Sequence, residues 1–321
     1  MGSFSKKLLF YFLRIGKLFV LRLSFRFRMT ARVINLLTDV DGAKGGRRPK
    51  HLHPLLTSIL RDSRLNYVDI GARGGLSSAL VHYSDYLSTT MFEPDLKEFN
   101  LLQIQYESNG HIDILPYAVG NGSRARLHIT SEPAVSSILE PRGRDLSIAE
   151  QKILNGDYGR FTVTKKIEIQ TARLDDIFPI ETKKIDLLKI DVQGAEYDVF
   201  EGLGRHRPYL IQAECSFIEF YKGQKLFDEV AGLLRGLGYF PVRLMDFKEY
   251  SGTSFRVEPL QLHGDVVFVP DSSDQGISHI NSNLDKWFAC LCIYGLRGFA
   301  LWQMDSLGIL PSDQMKKYNL F

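Results

Sequence analysis

The chain has 321 residues, of which 44% are hydrophobic and 24% charged, and its net charge is +3. This balance excludes a disordered or fibrous protein and allows one large α/β domain with additions, or two small domains. Its three cysteines, Cys215, Cys290 and Cys292, are odd in number and lack CxxC spacing. That argues against a disulfide framework and a zinc site, and fits a reducing cytoplasm.

The charge is unevenly placed. Lys6, Lys7, Arg14, Lys17, Arg22, Arg26, Arg28 and Arg32 precede the first acidic residue, Asp39, so these eight positive charges leave the remainder at −5. A mildly acidic body makes a poor nucleic-acid surface. The apolar run Leu8–Leu13 is too short to span a bilayer or to form a signal-peptide core. On a helix, Lys6, Lys7, Arg14 and Lys17 share one side, while Phe4, Leu8, Leu9, Tyr11, Phe12, Ile15 and Phe19 cover most of the rest. The pattern suits a helix in a membrane interface, at the inner face of a membrane, and equally a helix packed on the protein itself or on a second subunit. Leu21 to Met29 then alternates strictly, as a strand or a continuing basic helix would. Residue 6 is not Ser or Thr, so the myristoylation pattern is not met.

Residues 41–54 are rich in Gly, Pro and basic residues and read as a linker, followed by a short helix near Leu55–Arg61. Strands and helices then alternate. Tyr67–Ile70 is predicted as a strand, with a Gly-rich turn and a helix from about Leu76. Thr89–Phe92 is the next strand, Asp95–Tyr106 a helix, and Ile112–Val119 a third strand. Ala125–Thr130 and Phe161–Thr171 alternate within Arg124–Leu174, which reads as a β-rich insertion with a loop over the site. Strand Ile185–Val192, helix Ala195–Leu203, strand Tyr209–Cys215, helix Leu226–Leu237, and strands Phe240–Met245 and Asp265–Val269 complete the set. A helix through Trp287, Cys290, Ile293 and Leu296 lies in the tail. The rhythm predicts an α/β fold with a mostly parallel, Rossmann-like sheet and helices on both faces. The domains expected are a basic arm at 1–40, a linker and short helix at 41–62, a catalytic domain at 63–275 with its insertion at about 121–174, and a helical tail at 276–321.

Open α/β sheets bind ligands at the carboxyl ends of their strands. The first end reads Asp69-Ile70-Gly71-Ala72-Arg73-Gly74-Gly75. A dinucleotide fingerprint needs glycine at positions 73 and 76, where Arg73 and Leu76 stand, so a nicotinamide cofactor is disfavoured. The acidic residue two before the first glycine instead suits a cationic ligand such as S-adenosylmethionine. Glu93, about 20 residues beyond the turn, stands where an acid can accept from both ribose hydroxyls, and Pro94 ends that strand. Ala118 and Val119, at the third strand end, are small and apolar enough to flank adenine. The fourth end carries Asp191 and Glu196, and the next carries Glu214. Glu196 is as readily a helix-start residue favoured by the macrodipole. Three carboxylates at successive strand ends point to acid–base work, with Asp191 first, then Glu214 and Glu196. His82 and His128 have no supporting motif, and no ligand cluster requires a metal.

Together the Asp69 glycine turn, Phe92-Glu93-Pro94, Leu174-Asp175, the element Lys189-Ile190-Asp191-Val192-Gln193-Gly194-Ala195-Glu196 and Glu214 resemble the FkbM family of methyltransferases. The resemblance spans roughly Asn66 to Asp246, and the element ending in Glu196 is its specific part. It implies a class I fold, S-adenosylmethionine as donor, and O-methylation of hydroxyls on sugars or secondary metabolites. It also implies donor contacts for Asp69, Gly71 and Glu93, and a place near the transferred methyl for Asp191. Ala72, Arg73, Gly74, Pro94, Ala118 and Val119 complete the expected donor site. The family usually has Asn at Arg73 and Glu at Gln193, so Gln193 removes a charge beside the site. The expected activity is methyl transfer to a glycan or related metabolite by a carboxylate base; a non-catalytic donor-binding or scaffolding protein of the same fold is the alternative. The expected partners are a small-molecule or glycan acceptor, with peripheral membrane contact through the arm.

Overall fold

The computed structural model describes residues 56, 60–61, 63–77, 80–142, 157–250 and 260–306. The expectations for the arm, the linker and the middle of the insertion lie outside the described residues, as does the chain beyond 306. Residues Leu56–Leu307 form one compact unit.

Parallel strands covered on both faces must be apolar almost throughout, and the central strands are. β1 (Leu65–Ile70), β2 (Leu87–Phe92), β3 (Ile112–Leu115), β6 (Leu187–Ile190) and β7 (Leu210–Ser216) are mutually parallel. β8 (Tyr239–Tyr250) and β9 (Leu260–Pro270) form a long antiparallel pair at one edge, and the sheet order is β3-β2-β1-β6-β7-β9-β8. β9 runs antiparallel to β7. The Rossmann-like sheet expected from the strand–helix rhythm is therefore present, and its order reverses between β1 and β6.

One face of the sheet is core. Val68, Ile70, Leu188, Ile190, Ile211 and Ala213 pack with Val199 and Phe200 of α3 (Glu196–Glu201) and with Val230 and Leu234 of α4 (Phe227–Gly236). On β2's side, Asp95 caps α1 (Leu96–Gln105) by accepting from the Lys97 amide. Among the described residues, the insertion contains a two-stranded antiparallel sheet of β4 (Arg124–Thr130) and β5 (Val163–Gln170), followed by the single turn α2 (Leu174–Ile177).

Three sequence expectations are adjusted. The strand predicted over Ile112–Val119 stops at Leu115, because Pro116 has no amide to give the ladder. After the glycine turn, Val81–Tyr86 is a 3-10 helix rather than a continuation of a regular helix from Leu76. Among the described residues the tail holds three helices, α5 (Asp274–Ser282), α6 (Leu284–Ile293) and α7 (Arg297–Ser306); Gly295, at φ +68°, separates the last two. α6 covers the other sheet face: Lys286 Nζ pairs with Asp186 at 2.6 Å, and Tyr294 Oη donates to Gln212 Oε1 at 2.7 Å.

Candidate functional site

The strand order reverses between β1 and β6, and in open α/β sheets the ligand crevice is expected at the carboxyl ends of the strands flanking that reversal. Gly71, at φ +80°, turns the chain out of β1, and its amide and that of Ala72 both donate to Phe92 O at 3.0 Å. A Cβ on Gly71 would lie 1.9 Å from Asp191 O, so only glycine lets the turn pass the end of β6. Ala72 points inward, packed with Met91 and Leu102, and offers the crevice only backbone. The Gly74 amide donates to Glu98 Oε1 at 2.9 Å.

Arg73 lies among acids. Its guanidinium is 2.7 Å from Asp95, 3.2 Å from Glu98 and 3.7 Å from Glu93. Arg73, expected in the donor site, is thus paired with neighbouring acids. Glu93 is buried at the end of β2, with Oε1 accepting from the Asp95 amide at 2.9 Å. Burial pushes its carboxyl up to about 7 against the pull of that amide and Arg73. Its Oε2 makes no hydrogen bond among the described residues, so it fits a ligand hydroxyl. Val119 and Ala118 form a link tied to Ala172 at the base of the insertion.

Alternation along the strands, combined with register, builds a polar row on the face that α6 covers. Asp69 is opposite Lys189, and Lys189 is opposite Gln212. Asp69 is 0% exposed, with Oδ1 3.1 Å from Lys189 Nζ and Oδ2 accepting from Tyr67 Oη at 2.7 Å. The acid that the sequence places against a cationic ligand is thus committed to an internal cation, behind the glycine turn. Burial alone would lower the Lys189 pKa, but Asp69 and Asp191 outweigh it and raise it.

The next row forms the rim. Asp191 is 36% exposed, with Oδ2 3.9 Å from Lys189 Nζ. Gln193 Nε2 donates to Asp191 Oδ1 at 2.8 Å and to Glu214 Oε2 at 3.0 Å, joining two carboxylates that would otherwise repel. It does so from a left-handed backbone, φ 57°, which costs a non-glycine residue about 1 kcal/mol or more. Tyr221 Oη shares its proton between Gln193 Oε1 and Val135 O, bringing the insertion to this rim. On β9, His263 Nδ1 is 2.8 Å from Glu214 Oε1. Asp265 lies opposite Glu214 and accepts from Gln212 Nε2 at 2.7 Å; burial and then Asp191 push its carboxyl up to about 6.

The structure thus brings Asp191 and Glu214 together and turns Glu196 away. Glu196 is buried, its Oε1 accepting from the Val192 and Gly194 amides at 3.1 Å each, so it holds the turn at the start of α3. Lys189, His263, Asp265 and Gln212 were not singled out from sequence. Ionisable or amide residues within otherwise apolar strand runs are the signal that would have found them. Among the described residues, no group of three or more His, Cys, Asp or Glu is arranged to hold a metal ion.

Burial, and then Glu214, push the Glu196 carboxyl up to about 8 from 4.5. Between those values the folded state holds a proton that the unfolded chain has lost, so stability falls as pH rises from about 4.5 to about 8. Glu93 and Asp265 add in the same sense. Glu196→Gln keeps the amide acceptor and removes the titration. Urea unfolding from pH 5 to pH 8.5 should show its pH dependence flattened, by on the order of a few kcal/mol at the alkaline end. An unchanged slope would assign the dependence elsewhere.

With this geometry in place, comparison with known proteins gives a family. The methyltransferase FkbM domain matches residues 69–241, more than half of the chain. No curated protein sequence matches. Among solved structures the chain is similar to a precorrin-6y C5,15-methyltransferase from Geobacter metallireducens GS-15 (8% identity, 67% of this chain and 87% of that one, TM-score 0.31). It is also similar to TehB from Haemophilus influenzae (10% identity, 73% and 66%, TM-score 0.33). A third is the 1,6-didemethyltoxoflavin-N1-methyltransferase of Burkholderia thailandensis, solved with S-adenosylhomocysteine (10% identity, 77% and 90%, TM-score 0.29).

Proposed function

The chain belongs to the FkbM-domain methyltransferase family, whose methyl donor is S-adenosylmethionine, and from that premise we propose that it methylates a hydroxyl of a sugar, glycan or related metabolite. Bound donor supplies an electrophilic methyl on a sulfonium. Glu93, with a free carboxylate oxygen at the end of β2, suits the ribose hydroxyls, and the Gly71–Gly74 turn gives close backbone approach. Glu98 and Asp95 hold Arg73 and the turn in place.

The observation that carries the reading is the Asp191–Gln193–Glu214 bridge, kept at the cost of a strained backbone at Gln193. Residues held in such conformations cluster at active sites. In-line transfer requires the acceptor oxygen to be aligned, and a hydroxyl is a weak nucleophile that gains from carboxylate-assisted proton removal. Asp191, the more open of the two carboxylates, orients the acceptor hydroxyl; Glu214 stands behind it. Gln193 supplies amide protons where a third carboxylate would add repulsion.

Incubating the protein with methyl-labelled donor and a panel of methyl glycosides and cell-envelope glycans tests this. Asp191→Ala should lower transfer about tenfold or more, with S-adenosylhomocysteine binding changed less than transfer. Undiminished transfer would remove Asp191 from the reaction. Donor binding with no transfer to any hydroxylated acceptor would favour a donor-binding or scaffolding protein. The basic arm supports work at a membrane surface; deleting residues 1–38 should then release the protein from anionic vesicles, and unaltered partition would refute that placement. Among the described residues no helix is long and apolar enough to cross a membrane.

A further inference from the structure

Resting on the hydroxyl-directed reading, we infer that His263 is the group that takes the proton from the acceptor, with Glu214 as its positioning residue. Four observations carry this. His263 lies on β9 opposite Ser216 of β7, and Asp265, two residues on, lies opposite Glu214, so His263 shares a sheet face with Glu214. Its Nδ1 is 2.8 Å from Glu214 Oε1, while Nε2 makes no hydrogen bond to any described residue. The side chain is 29% exposed, open enough to meet an acceptor. Phe220 approaches the ring edge to face at 5.8 Å and restricts its tilt.

A carboxylate accepting from Nδ1–H fixes the tautomer that leaves a lone pair on Nε2, and it stabilises the imidazolium formed when that lone pair takes a proton. Glu214 is itself held on its other oxygen by Gln193 Nε2, so the dyad is tied to the strained turn and through it to Asp191. In the transfer, the acceptor oxygen bonds to the methyl carbon as the carbon–sulfur bond breaks, and sulfur keeps that electron pair. The hydroxyl proton passes to His263 Nε2 and later leaves to solvent. Nδ1–H stays with Glu214, and Asp191 aligns the oxygen.

Charged groups stand around the imidazole. Glu214 faces it from β7, and Asp265 stands two residues along β9. Lys248 is its register partner on β8 and is exposed, and Asp191 is linked to it through Gln193. Of these, Glu214 is the one in hydrogen-bond contact with the ring.

Full-length protein, His263→Asn and Glu214→Gln form the test. Titration with S-adenosylhomocysteine should give affinities within about twofold across all three. With methyl-labelled donor and methyl glycosides, His263→Asn should lose about a hundredfold or more in kcat/KM. Glu214→Gln should lose less, with the loss in kcat rather than KM. Independently of any acceptor, imidazole nitrogen NMR, assigned by the signal missing in His263→Asn, should show His263 in the Nδ1–H tautomer, with that preference lost in Glu214→Gln. An Nε2–H tautomer, or a His263→Asn variant with full rate, would overturn the assignment. Bound S-adenosylhomocysteine without transfer to any glycoside would instead overturn the acceptor class, leaving the tautomer measurement to judge His263.

Discussion

Gly71→Ala should lose about 2–5 kcal/mol of stability and most of its affinity for S-adenosylhomocysteine. A left-handed backbone costs a β-carbon-bearing residue about 1–2 kcal/mol, and Gly71 is at φ +80°. The larger part is steric. The added carbon would stand 1.9 Å from Asp191 O and 2.9 Å from Asp191 C, which are backbone atoms of a central strand end and cannot swing aside. Relief requires β1 and β6 to separate where the order of the sheet reverses, and the proposed donor crevice opens there. At about 2–4 °C per kcal/mol for a domain of this size, the melting temperature should fall by roughly 4–20 °C. Gly74→Ala is the control. It has nearly the same φ, +79°, but no atom within 4 Å of an added Cβ, so it should lose only the backbone term, about 1–2 kcal/mol. Thermal unfolding of the pair separates the two contributions, and equal losses would show that contact with Asp191 is not what makes glycine necessary.

Lys189→Met should cost about 3–5 kcal/mol, because it leaves an ionised Asp69 buried without its cation. Asp69 is 0% exposed and Lys189 is the only cation paired with it among the described residues; the Tyr67 hydroxyl is its other partner. Most of the cost belongs to the abandoned charge. The double variant Asp69→Asn/Lys189→Met should therefore recover a large share of it, and urea unfolding of the two singles and the double measures the coupling. If the double variant is as unstable as the sum of the singles, the pair does not act as a unit. The pair should hold across the working pH range. Lys189 has its folded pKa raised above 10.5, so its contribution is complete below that value and is lost only as pH rises through the higher folded one. The Asp69–Lys189 pair also bears on the site, since Lys189 Nζ lies 3.9 Å from Asp191 Oδ2. Disturbing it disturbs the field at the rim.

The parts of the site legible in sequence are those carried by short, contiguous stretches. The glycine turn after β1, Glu93 closing β2 and the run from Asp191 to Glu196 each announce a strand end, and all stand at strand ends in the fold. Within those stretches the sequence said which residues are present but not where their side chains point. The sequence alone puts Asp69 against a ligand and leaves Glu196 either on the rim or at the start of its helix. Asp69 turned to Lys189, 120 residues away, and Glu196 turned to the amides at the start of its own helix. In each case a buried carboxylate takes the nearest available donors. His263 lies 49 residues from Glu214, in a strand whose local pattern is merely apolar with interruptions.

By itself, then, the sequence determined the alternation of strands and helices, the turns that only glycine permits, the acids at strand ends and the family. These are local properties: side-chain periodicity, backbone steric limits and contiguous motifs. Strand order and register, which the tertiary structure alone decided, placed Asp69, Lys189 and Gln212 in one row, Glu214 opposite Asp265 in the next, and His263 opposite Ser216 two residues further on the same face. The reason is physical. Which strand lies beside which is set by burying the apolar faces of distant segments together, and a polar residue's partner is whatever that packing brings within hydrogen-bond reach.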